Sequence, residues 1–64
     1  MNYDQWNKLV AEGDHEIWPH LNSMMAGREG AFSQSLRFAL DAADSINSKR
    51  LYEAFPEYFT PKQK

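Results

Sequence analysis

Ala31-Phe32-Ser33-Gln34-Ser35-Leu36-Arg37-Phe38-Ala39-Leu40-Asp41-Ala42-Ala43-Asp44 is the stretch whose reading decides the fold. At about 100° per residue, Phe32, Leu36, Ala39, Leu40 and Ala43 fall on one apolar stripe. Gln34, Arg37, Asp41 and Asp44 oppose it. Phe38 and Ala42 sit off the stripe, on a flank, and give the segment a second apolar edge. The pattern predicts a helix over 31–44 that is central to the fold. Its alanines let a neighbouring helix come close.

The flanking segments are divided by glycine and proline. Downstream, Ser45 and Asn47 are both competent N-caps for a helix over 47–55. Leu51, Ala54 and Phe55 form its stripe, and Pro56 ends it. Residues 57–59 then read as a tight turn returning aromatic rings to the core, and residues 60–64 as a frayed polar tail. Upstream, Ile17, Trp18, Leu21, Met24 and Met25 share a stripe that predicts a helix over 18–26, ended by Gly27. Pro19 belongs in its first turn, preceded by a distorted 14–18 segment, because a proline deeper in a helix loses a backbone bond and clashes with the preceding turn. At the start of the chain, Asn2 and Gln5 have capping-box spacing for a helix over 3–12. Tyr3, Trp6, Leu9 and Val10 share its apolar side, Asp4 and Lys8 form an i,i+4 pair, and Gly13 is a natural stop. No segment alternates with period two, so no sheet is expected. The expected architecture is all-α: a compact three- or four-helix small domain, with residues 1–64 as one unit.

Sixty-four residues make a marginal core, since a chain of that length buries only about 60% of the surface it exposes when unfolded. There is no cysteine, so disulfides cannot help, and a reducing compartment fits. Tight helix packing or a homo-oligomer must supply the stability. A net charge of −2 with 25% charged residues suggests neither a basic nucleic-acid footprint nor an acidic DNA mimic. The first residues lack the basic and apolar regions of a signal peptide, and no apolar run approaches the roughly 20 residues of a membrane span. A cytoplasmic protein with no membrane partner is therefore expected.

The stretch Phe38-Ala39-Leu40-Asp41-Ala42-Ala43-Asp44-Ser45-Ile46-Asn47-Ser48-Lys49-Arg50-Leu51-Tyr52-Glu53-Ala54-Phe55-Pro56-Glu57-Tyr58-Phe59 covers about a third of the chain. It resembles a loosely defined group of short phage- and prophage-encoded proteins with an Ala-Asp-Ser, Asn, Arg-Leu, Ala-Phe-Pro-Glu pattern near the C-terminus. The resemblance implies a phage accessory protein in a bacterial host, and it carries over no catalytic residue. The same residues also have a purely structural reading, as caps, packing positions and a proline stop.

Candidate chemistry is sparse. His15, Glu16 and His20 lack the i,i+4 histidine spacing of a zincin; the two histidines are separated by roughly 140° around a helix, so two solvent-facing histidines are expected and no metal. Gly27-Arg28-Glu29-Gly30 precedes the central helix and invites an anion reading, but no P-loop pattern follows it. Asp41 and Asp44 are i,i+3 on a polar face with nothing to suggest burial. No nucleophile stands beside a base, so no enzyme and no cofactor is expected. The aromatic and methionine content exceeds what so small a core easily encloses, and these residue types are enriched at interfaces. Trp6, Trp18, Met25, Arg28 and Arg37 are accordingly the expected partner-binding residues. The expected function is binding, and inhibiting or redirecting, a host protein such as a defence component. A homo-oligomeric small-ligand or anion and nucleotide binder is the first alternative. A small DNA-binding helical domain is the second, with nucleic acid disfavoured by the charge.

Overall fold

The computed structural model describes residues 1–61, and among them the chain is helical throughout, without strands. The helices are α1 (Tyr3–Glu12), α2 (Ile17–Met25), α3 (Ala31–Ala42), α4 (Ser45–Ala54) and a single turn, α5 (Pro56–Phe59). The all-α small domain read from the periodicity is the architecture observed.

Local chemistry sets each boundary. The Asn2 side chain accepts from the Gln5 amide at 2.9 Å, and the Gln5 side chain accepts from the Asn2 amide at 3.0 Å. That reciprocal box satisfies two of the amides that an α-helix leaves free at its start. Gly13 ends α1 at φ 74°, a left-handed conformation that a side chain disfavours, while the amide of Asp14 reaches back to the Leu9 carbonyl at 3.0 Å. Asp14 then serves the next helix, its carboxylate accepting from the amides of Glu16 and Ile17, both at 3.0 Å. Pro19 lies in the first turn of α2, where its missing N–H has no helical carbonyl to leave empty.

The α3–α4 junction departs from the sequence expectation. The third helix stops at Ala42, two residues before 44, and the fourth starts at Ser45, two residues before 47. Ala43 is extended, and the Asp44 carboxylate accepts from the Asn47 amide at 2.8 Å. Asp44, placed by periodicity on the polar face of the third helix, is instead the N-cap of the fourth. Three cap-competent side chains stand close together here, and aspartate carries the charge that a helix N-terminus favours. Residues 57–59 form most of α5, with Pro56 at its first position and the Thr60 hydroxyl donating to the Pro56 carbonyl at 2.9 Å. Of the tail expected to fray, residues 62–64 lie outside the described residues.

Trp6, Ile17, Leu21, Met24, Leu36, Tyr52 and Phe59 form the core. Trp6 is its centre: its ring lies 4.9 Å from Tyr52 and 5.9 Å, edge-on, from Phe59. Its indole N–H donates to the Phe59 carbonyl at 3.0 Å, so the polar atom of a buried tryptophan is satisfied. His20 secures α5 from the other side, through a 2.7 Å hydrogen bond to the Tyr58 carbonyl. A carbonyl only accepts, so Nε2 of His20 carries the proton. His20 is thus half-buried and structural, not solvent-facing as its sequence position suggests; His15 is exposed.

α3 is rotated relative to its sequence stripe. Ser33 and Leu36 are its buried residues, and the Arg37 side chain is only 11% exposed. Phe32 is 53% exposed and Ala39 is also exposed, although both belong to the apolar stripe. The rotation follows from packing: α2 lies against the Ser33 and Leu36 side, where the small serine permits close approach. The displaced part of the stripe is left facing outward, beside α4.

Candidate binding surface

The five residues expected to meet a partner do not form one surface. Trp6 is 2% exposed and belongs to the core, so that assignment is corrected: the bulk that marked it as a contact residue is spent on folding. Trp18 is half-buried, and its indole N–H donates to the Val10 carbonyl at 2.8 Å, tying α2 to α1. Met25 is half-buried, and its carbonyl accepts from the Gln34 side chain at 2.9 Å. Arg28 is exposed in the turn after α2. Arg37, read as facing solvent, is largely buried; its guanidinium stands 3.7 Å from Asp41, and its Nε has no hydrogen-bond partner among the described residues.

The turn at Gly27–Gly30 is poorly suited to an anion. Glu29 occupies it, its carboxylate accepting from the Ser23 hydroxyl at 3.1 Å and standing 4.0 Å from Nδ1 of His20. A negative charge already in place repels a second one. Among the described residues there is no group of three His, Cys, Asp or Glu side chains able to hold a metal ion. No helix among them is long and apolar enough to cross a membrane.

What the fold does expose is three large apolar side chains on α3 and α4. Phe32, Phe38 and Ile46 are 53%, 52% and 65% exposed. Between the two helices runs an open trough of about 460 Å³, lined by Ala39, Ala42, Ala43, Asn47, Arg50, Leu51 and Ala54. Four of those seven residues are alanines, which is why the helices leave a trough there instead of a ridge. Outside that lining, the Phe32 ring stacks edge-on against Phe55 at 5.5 Å and Tyr58 at 5.3 Å. Those contacts hold the half-exposed ring in place, so a partner would meet a pre-set surface.

No family model, curated protein or solved structure matches the chain. The site is therefore argued from its own chemistry.

That chemistry is mostly apolar, with a single arginine. Arg50 is the one charged residue lining the trough and forms no ion pair among the described residues, and Glu53, one turn further along α4, is exposed. Sequence reading missed this face because it assigned Phe32 and Ala39 to the core. The available signal was the second apolar edge of Phe38 and Ala42, which marks a helix with more apolar surface than one neighbour can cover.

Proposed function

We propose that this protein works by binding another protein through the α3–α4 face, without turnover. The observation that carries the reading is the exposure of Phe32, Phe38 and Ile46 on the two helices whose alanines floor a trough. Monomeric proteins rarely leave a contiguous apolar area of this kind without a use for it. Partner occlusion fits a chain this small, since a 64-residue domain has little room for an enclosed catalytic cleft. The resemblance of residues 38–59 to short phage-encoded proteins supports a partner from a bacterial host, with inhibition or redirection of a host protein, such as a defence component, as the proposed outcome.

The test is affinity. The protein is used to capture partners from a bacterial lysate, and each captured protein is purified and titrated against the wild type and a Phe38→Asp, Ile46→Asp double variant. A hot-spot loss of about 2 kcal/mol corresponds to roughly 30-fold weaker binding. A double variant that keeps wild-type affinity, with its helical content intact, overturns the assignment of this face.

A further inference from the structure

We infer that α5 is an exchangeable clasp: the socket that holds it is built by α1 and α2, and it accepts the same turn from a second copy of this chain. The inference does not rest on the α3–α4 face.

The socket is the first argument. Two consecutive carbonyls of α5 are taken by ring N–H donors from two different helices. His20 of α2 donates to Tyr58 at 2.7 Å, and Trp6 of α1 donates to Phe59 at 3.0 Å. The last four carbonyls of a helix have no partner within it, so a turn of four residues depends on donors from outside. Between those two donors the Phe59 ring is fully buried, edge-on to Trp6 at 5.9 Å. The hydrogen bonds span 53 and 38 positions of sequence, so what grips α5 is remote from it in the chain. The socket reads two carbonyls and one aromatic ring, features that a second copy presents identically.

The joint is the second argument. Phe55 alone separates α4 from α5, and its φ of −135° and ψ of 53° are not helical. Pro56 follows it, with no N–H to continue the ladder of α4. A proline also biases the residue before it towards extended backbone, the conformation an opened joint needs. Opening gives up the bond from the Tyr58 amide to the Phe55 carbonyl at 3.1 Å and the contact between their rings. Docking in a second copy restores the Trp6 and His20 bonds and the burial of Phe59. Because each copy gives one turn and receives one, the exchange closes as a twofold dimer.

Concentration decides between the two forms. They share nearly all their contacts, so their balance is set by the effective concentration at which a short joint holds α5 over its own socket. For short linkers that is of the order of 1 mM. The chain is therefore a monomer at micromolar concentration and exchanges α5 near 1 mM.

The test refolds an equal mixture of ¹³C-labelled and unlabelled full-length chains at about 1 mM and at about 20 μM, either side of that effective concentration. Each sample is held until its mass by light scattering is constant. The expected result is a dimer in the concentrated sample alone. Isotope-filtered NMR on it should show contacts between the Trp6 and Phe59 rings of different chains. The Phe38→Asp, Ile46→Asp variant, altered only on the α3–α4 face, should dimerise to the same extent. A sample that stays monomeric at about 1 mM overturns the inference. So does a dimer whose Trp6–Phe59 contacts all lie within one chain, and so does a dimer that the double variant abolishes, which assigns self-association to α3 and α4.

Discussion

Trp6 carries more of the structure than any other single side chain. It touches Tyr3, Tyr52 and Phe59 and hydrogen-bonds the Phe59 carbonyl. Truncating a buried tryptophan to alanine costs about 3–5 kcal/mol. A chain of this length has roughly 3–10 kcal/mol of stability in all. Trp6→Ala is therefore expected to leave most molecules unfolded at 37 °C, seen as loss of the cooperative thermal transition by circular dichroism; a transition within a few degrees of wild type would contradict the assigned centre of the core. Tyr52 gives a pH signature. Burial pushes its phenol above the usual value of about 10. The folded state thus keeps the proton where the unfolded chain gives it up, so this contribution is intact below about pH 10 and is lost as pH rises beyond it. Denaturant midpoints should fall above pH 10, and less steeply in Tyr52→Phe. At neutral pH the same variant should lose about 1 kcal/mol, because the Tyr52 hydroxyl donates to the Met1 carbonyl at 3.0 Å. Identical alkaline slopes in the two proteins would remove Tyr52 as the source. Residue type alone suggested that both rings were large and apolar; which of them sit inside depends on contacts between residues some fifty positions apart.

At the level of helices, what was readable in the sequence was what is settled locally. Asn2 and Gln5 mark the start of α1 because a capping box uses only four consecutive residues. Gly13 marks its end because the turn there needs a positive φ. The α3–α4 junction was less legible, since Asp44, Ser45 and Asn47 all suit a cap and periodicity carries the third helix through Asp44. The charge of Asp44, favoured at a helix N-terminus, is what sets it apart from its two neighbours. Asp44→Ala should cost about 1 kcal/mol in chemical denaturation, and Asp44→Asn much less. A neutral Asp44→Ala would mean that Ser45 or Asn47 takes over. The rotation of α3 was not legible either. Its apolar arc is wider than the surface α2 covers, and the sequence cannot say which part of a wide arc is covered. That same ambiguity hid the candidate binding face.

For the molecule as a whole, folding and binding draw on different residues. The buried set holds Trp6, Ile17, Leu21, Met24, Leu36, Tyr52 and Phe59, whereas the exposed face is built from Phe32, Phe38 and Ile46. Surface substitutions away from caps and buried networks usually change stability by no more than about 0.5 kcal/mol. Phe38→Asp and Ile46→Asp should therefore leave the urea midpoint nearly unchanged while weakening partner affinity roughly 30-fold. A large drop in stability would show that these side chains belong to the fold and not to an interface.

The bond from Trp6 to Phe59 also dictates the order in which the molecule can come into being. α1 can coil as soon as it is made, but the ring that should be its innermost group stays uncovered until α5 has been added. During synthesis, at about 5–20 residues per second, that interval lasts several seconds. Through it the nascent chain presents a tryptophan to the cell, and every earlier helix waits on one four-residue turn. The core around Trp6 is complete only when α5 closes over α1.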